Sequence, residues 1–284
     1  MNKNAERCTR ANGKLLAPSE IRTFRKKIYT YYRNHGRDLP WRKTRNPYNI
    51  LVSEIMLQQT QVERVLEKYA QFIKAFPDFS SLARAPLRKL ITIWQGMGYN
   101  RRALALRALA QTLMNERHGK LPSDPEDLMA FPGIGRYTAG AVAAFAFNQP
   151  VLFIDTNIRR VFIHTFLHGR ENIKDEDILP LIQQTIDVSD PRTWYNALMD
   201  YGAMLKREHA NPNRRSALYQ RQSPFENSNR QIRGRILKVL VEESPLSLSL
   251  IAKKSGMDPE RVKQNLMELI NEGFVRKQGK LFAL

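Results

Sequence analysis

The stretch FPGIGRYTAG, residues 131–140, is followed after a short apolar run by LFIDTNIRRV, residues 152–161. Pro132 ends the helix expected over DPEDLMAF. Gly133 and Gly135 permit a hairpin tight enough for backbone amides to face outward, and Arg136 opens the next helix. Amides at a helix N-terminus bind a phosphate without reading base sequence. The plain alternative is a corner between two helices in which the glycines only turn the chain. Downstream, Asp155 follows Val151, Leu152, Phe153 and Ile154 and precedes Thr156-Asn157, where another helix starts. It reads either as an N-cap or as a carboxylate placed to face a developing positive charge.

Outward from this hairpin, helical period dominates. Ile50, Leu51, Ile55 and Met56 lie close to one stripe, as do Val62, Val65, Leu66, Tyr69 and Phe72. Leu87, Leu90, Ile91 and Trp94 repeat the pattern, and Leu104, Leu106, Leu109, Leu113 and Met114 follow. Breaks at FPDFS, QGMGYN and HGKLPSDP separate the helices, and no alternating strand pattern precedes the far C-terminus, so the core is all-α. Residues 1–17 read as a flexible basic arm carrying Lys3, Arg7, Arg10 and Lys14, with Ser19 as N-cap of the first core helix. Residues 208–228 read as a linker or wrapped extension, with Leu218, Tyr219 and Phe225 as packing candidates. Residues 229–284 read as three helices and a hairpin around Gln278-Gly279, a winged helix. Arg261, Lys263 and Gln264 are its candidate duplex contacts, although winged helices also serve as protein-contact modules.

A net charge of +19 across 284 residues, with a pI near 10.2, points to a polyanionic partner, and nucleic acid is the commonest. No apolar run approaches the ~20 residues that span a bilayer, so a cytoplasmic protein without membrane partners is expected. Cys8 is the single cysteine, which rules out an internal disulfide and a cysteine-based metal site within one chain.

PYNILVSEIMLQQTQV (47–62), WQGMGY (94–99), FPGIGRYTAGAV (131–142), IDTNIRRV (154–161) and LMDYGAM (198–204) occur in the order seen in the helix–hairpin–helix DNA glycosylases. The chain resembles this HhH-GPD superfamily over about residues 20–207, and within it looks most like the MutY-type adenine DNA glycosylases. The resemblance implies two helical lobes, one over about 47–150 and one built from about 18–46 plus 151–207. A nucleotide is flipped out of the duplex into the cleft between them. It implies a catalytic set of Glu54, Asp155, Tyr137 and Asn157. Glu54 protonates the purine ring, Asp155 stabilises the cationic sugar, Asn157 orients that carboxylate and the Tyr137 hydroxyl assists. Relatives resembling endonuclease III carry a lysine at the position of Tyr137; a tyrosine cannot form their imine, so strand cleavage is not expected. By residue type alone Glu54 is equally a solvated helix glutamate and Tyr137 a helix-face filler.

Gln58, Gln59 and Tyr99 match family positions that wedge into the duplex or touch the unpaired base, although amides at a surface and a core aromatic are the plain readings. Gly133, Gly135, Arg136 and Thr138 are the implied backbone contacts, and Arg101 and Arg102 are phosphate candidates, although arginines on solvated faces are common. Most of these enzymes hold a [4Fe–4S] cluster on four cysteines after the LMDYGAM helix. KREHANPNRRSALYQRQSPF has none, so no cofactor and no metal are expected. The expected function is monofunctional removal of adenine opposite guanine or 8-oxoguanine in base-excision repair, by a nucleoid-associated monomer acting on mismatched or damaged duplex DNA. The alternatives are a uracil or thymine glycosylase acting opposite guanine, and a non-catalytic DNA-binding protein of the same fold.

Overall fold

Pro18 fixes the backbone for a first helical turn, and α1 runs Pro18–His35. The cap position is Ala17 rather than Ser19, because the proline lies one residue earlier in the helix. No side chain caps the first-turn amides, while the Glu20 carboxylate accepts from the Ala17 amide at 2.8 Å. The chain continues through a 3-10 turn at Pro40–Arg42, α2 (Pro47–Leu57), α3 (Val62–Ala75), α4 (Phe79–Ala83), α5 (Leu87–Trp94) and α6 (Arg101–Glu116). Then come α7 (Pro125–Met129), α8 (Arg136–Phe147), α9 (Thr156–Phe166), α10 (Asp175–Thr185), α11 (Pro191–Glu208) and a 3-10 turn at Pro212–Arg215. The C-terminal part is α12 (Asn229–Glu242), β1 (Leu246–Ser247), α13 (Leu248–Ser255), α14 (Pro259–Asn271), β2 (Arg276–Gln278) and β3 (Leu281–Ala283). This computed structural model describes residues 15–221 and 224–284, so the basic arm up to Lys14, Cys8 included, lies outside the described residues. Within the arm, Leu16 is buried and its amide donates to Gln184 Oε1 at 2.8 Å.

The described chain divides into two units. The first holds the residues up to Arg42 and Gly135–Arg221, so α8 groups with α1, α9, α10 and α11, and the boundary falls at residue 135 rather than 150. Trp194 anchors this unit edge-on to Phe24, whose ring also meets Phe162 and Phe166. Buried Asp200 on α11 ties down the Gly36–Arg42 approach. It accepts from Arg37 Nε at 2.6 Å and takes both Arg42 nitrogens at 2.8 Å.

The second unit holds Lys43–Ile134 and the C-terminal part. Its helical portion packs around Trp94, Phe72, Phe76 and the almost wholly buried α2. In the winged helix, β3 lies between β1 and β2, antiparallel to both, with Phe282 opposite Leu246 and Lys277. The β1 strand is too short to leave a pattern in the sequence. Ile232, Ile236, Leu240, Ile251, Val262, Leu266, Leu269 and Phe274 form its core, and Ile91 from α5 enters the same cluster.

Candidate active site

Asp155 lies at the N-terminus of α9, and both of its oxygens are engaged. Oδ1 accepts from the Ile158 amide at 2.6 Å as the N-cap, and Oδ2 accepts from Asn157 Nδ2 at 2.9 Å. The cap and the oriented carboxylate are therefore one arrangement. Asn157 Oδ1 takes a hydrogen bond from Arg160 Nη1 at 2.9 Å. Arg160, itself buried, donates also to Gly202 O at 2.6 Å and to Asn211 Oδ1 at 3.1 Å. Burial lowers the pKa of its guanidinium, with Asp155 pulling the other way. Gly202 is what lets α11 approach: a Cβ there would lie 2.4 Å from Asn157 O. Arg160, Gly202, Asn211 and Asn213 were not singled out in the sequence. The signal for Gly202 was a glycine inside a strongly helical motif, which costs about 1 kcal/mol relative to alanine and so marks a close approach.

Tyr137 stands one turn before Gly140 on α8. A Cβ at Gly140 would lie 2.6 Å from Phe153 Cβ, so the helix packs directly on the segment leading to Asp155. The Tyr137 ring meets Phe153 at 5.9 Å between centroids, two residues before Asp155. That segment is held from its other side by Tyr195, whose hydroxyl donates to Val151 O at 2.7 Å and whose ring lies 4.1 Å from Phe153. Tyr137 and Asp155 are thus fastened to the same short segment. At the start of α8, Gly135 is the cap position and supplies no side chain to the first-turn amides. Arg136 is exposed beside them. Thr138 is only 2% exposed, so its side chain is removed as a contact to DNA.

In the other unit, Asn46 caps α2, accepting from the Tyr48 and Asn49 amides. Glu54 on this helix is 4% exposed, which sets aside the solvated-glutamate reading. Past the helix end, Gln58 donates to Gly133 O at 3.3 Å, tying this loop to the glycine hairpin. Gln59 is exposed at φ +53° and Tyr99 half-buried at φ +46°, left-handed conformations that cost a side-chain-bearing residue energy and cluster at functional positions. Gly133 has φ +80°, and a Cβ there would lie 2.8 Å from Ala105 Cβ, so only glycine fits.

Arg102 is not a phosphate contact. It is 9% exposed, and its guanidinium staples the two loops together. Nη1 donates to the carbonyls of Ile55, Met56 and Gln58, Nη2 to Thr60 Oγ1 and the carbonyls of Met97 and Gly98, and Nε to Tyr99 O. Burial pushes its pKa down to about 10, so it stays charged at neutral pH. Arg101 instead pairs with Glu272, the C-cap of α14. Arg261 donates to Asn227 O at 2.7 Å, and Lys263 lies 3.9 Å from Glu260.

The segment after α11 is held by polar contacts rather than by Leu218, Tyr219 and Phe225, which are 59%, 42% and 59% exposed. Asn213 Nδ2 donates to Thr156 O at 2.7 Å. Arg215 reaches the carbonyls of Ile163 and Leu167, and Ile173 and Ser216 form an isolated parallel bridge. Amides, guanidinium groups and hydroxyls fill this region, a donor set that does not fit an iron–sulfur cluster. His164 and His209 stack at 5.0 Å with His168 nearby, yet no described group of three or more His, Cys, Asp or Glu residues forms a candidate metal site. Among the described residues, no helix is long and apolar enough to cross a membrane.

Residues 52–182 match the family described as HhH-GPD superfamily base excision DNA repair protein, and residues 229–276 match a winged helix-turn-helix DNA-binding family. An adenine DNA glycosylase of Buchnera aphidicola is 37% identical over 64% of this chain and 52% of its own length. One from Mycolicibacterium smegmatis is 32% identical over 88% of this chain and 92% of its own. The chain spans about half or less of several curated relatives it matches. The solved structure of a thermostable thymine-DNA glycosylase superimposes with a TM-score of 0.60 at 26% identity, over 68% of this chain and 90% of that one. The chain belongs to the HhH-GPD superfamily of base excision DNA repair proteins.

Proposed function

We propose that the chain is a monofunctional adenine DNA glycosylase acting on adenine opposite guanine or 8-oxoguanine in duplex DNA. The observation that carries this reading is the doubly held carboxylate of Asp155, with an ionisable Glu54 buried in α2. Glu54 gives a proton to the purine ring, and the bond from the sugar to the base breaks with its electron pair leaving on the base. The resulting oxocarbenium-like sugar is stabilised by Asp155, and water adds to it and loses a proton. Tyr137 offers no amine, so no imine forms and the strand is left uncut. The glycine hairpin with Arg136 holds phosphates through backbone amides and charge, and Gln58, Gln59 and Tyr99 fill the gap left by the extruded nucleotide. The segment after α11 is held by its own hydrogen bonds without an iron–sulfur cluster, and the protein acts as a monomer in the cytoplasm at the nucleoid.

The test is a panel of duplexes carrying A·8-oxoguanine, A·G, T·G or U·G, incubated with the protein and then treated with alkali. Adenine-strand cleavage only after alkali is expected. The likeness to a thymine-DNA glycosylase favours a second reading, and cleavage confined to T·G or U·G establishes that one and overturns ours.

A further inference from the structure

Tyr99 closes the loop between α5 and α6, a loop already bent by Gly96 and Gly98 at φ +86° and +67°. Its ring is flanked by two guanidinium groups, Arg102 at 5.5 Å and Arg230 at 5.4 Å from the ring centre. Arg102 belongs to the loop's own staple, but Arg230 comes from α12 of the winged helix and donates from Nη1 to Tyr99 Oη at 2.7 Å. The winged helix also has a firm base on the same helices. Ile91 of α5 sits in its apolar core, with Leu87 and Leu104 packed against it. Arg88 donates to Val241 O and to Ser244 Oγ. Arg101 and Arg233 converge on Glu272; burial alone would raise its pKa, yet the two arginines hold it below the ordinary value. A module anchored at three places, carrying one arginine onto the hydroxyl of a backbone-strained tyrosine, restricts that ring more than it extends the outer surface.

We propose that the winged helix is the mount of the Tyr99 loop, with Arg230 a positioning residue that fixes the ring for insertion beside the extruded nucleotide. This rests on the wedge role given to Tyr99 above. Insertion needs an aromatic group already held in one orientation, because ordering it on contact subtracts from the preference for a mispaired site. Freed from Arg230, Tyr99 retains its staple from Arg102 but loses the constraint on its hydroxyl end.

The test uses the full chain in an Asp155→Asn background, so that base release does not consume the duplex. Arg230→Ala, Arg230→Lys, Tyr99→Phe and the Arg230→Ala/Tyr99→Phe pair are compared by fluorescence anisotropy on an A·8-oxoguanine duplex and its A·T counterpart. The readout is the ratio of the two affinities. Arg230→Ala and Tyr99→Phe are each expected to lower that ratio about tenfold, as for one hydrogen bond to a charged group. Arg230→Lys should recover part of it, and the double variant should be no worse than either single. Equal weakening on both duplexes makes Arg230 an ordinary phosphate contact and overturns the proposal. So does an unchanged ratio, or a double variant whose loss is the product of the singles. Tyr99→Phe leaves the winged helix untouched and keeps the test valid should Arg230→Ala disturb folding. The mispair panel on the unsubstituted chain judges adenine release separately, since the affinity ratio is read whether or not a base departs.

Discussion

Replacing Arg102 separates the buried staple seen in the structure from the phosphate contact that the sequence suggests. As a staple, its fork satisfies six carbonyls and one hydroxyl, among them the last carbonyls of α2, which have no partner further along the helix. Each buried carbonyl left without a donor costs about 1–3 kcal/mol, but the losses do not add, because an opened loop admits water. With two or three of these acceptors left dry, about 3–5 kcal/mol is the magnitude expected for Arg102→Met. Arg102→Lys should recover little, since an ammonium on a single stem cannot span acceptors on both sides of the fork. In a unit of this size the loss corresponds to a fall in Tm of roughly 10 °C. The assay is thermal and urea unfolding of the full chain, paired with the salt dependence of duplex binding. A phosphate contact behaves oppositely: stability stays within about 0.5 kcal/mol, the lysine variant binds nearly normally and the methionine variant lowers the salt slope by about one. That outcome refutes the staple.

Asp155→Asn keeps a residue that caps helices well, so stability should change by less than about 1 kcal/mol while single-turnover base release falls at least about 100-fold with duplex binding retained. Unaltered turnover on an A·G duplex would leave Asp155 a cap and nothing more. Gly202→Ala forces a methyl against Asn157 O, 2.4 Å away, and should cost about 1–3 kcal/mol and slow base release, whereas Gly135→Ala meets nothing within 4 Å and should be nearly neutral for folding; equal melting curves for the two exclude the close approach of α11 and α9. The pKa of His164 is lowered first by burial and then by His209 and the cations around it. The folded state therefore binds that proton less readily than the unfolded chain does. Stability should be fully present above pH 6.5 and decline as pH falls below it towards the folded value. Urea midpoints from pH 8 to pH 5 should drop less for His164→Gln, and parallel curves show that the proton is not linked to folding.

The helical stripes, the glycine hairpin and the winged helix were legible because each rests on local chemistry. What was not legible depended on which polar side chain turns inward. Arg101 and Arg102 look alike in sequence, yet the apolar stripe of α6 through Leu106, Leu109 and Leu113, continued back one turn from Leu106, lands on Arg102 and not on its neighbour. The stripe held the information, but the arginine hid it. In the segment after α11 the usual sorting is inverted: Asn213 and Ser216 are buried while Leu218 and Phe225 are exposed. Hydrogen bonds to α9 decide that arrangement, and they leave no period to read. Glu54 was recognised by motif, and only the structure showed it buried.

Asp155 also shows why the capping and functional readings of a residue need not compete. A guanidinium can only donate, so Arg160 forces the oxygen of the Asn157 amide towards itself, and the NH2 end is left facing Asp155 Oδ2. The helix amide of Ile158 fixes the other carboxylate oxygen. Arg160 is itself aimed by Gly202 O and Asn211, and Asn213 holds the Thr156 carbonyl one residue beyond the carboxylate. Each donor in this chain orients the next, and the last acceptor is the carboxylate. The cysteine-free segment thus contributes two amides to the positioning of α9's first turn. In the proposed mechanism, a carboxylate that had to reorganise when positive charge appeared on the sugar would forfeit part of the stabilisation it offers, and the hydrogen bonds around Asp155 supply that ordering beforehand.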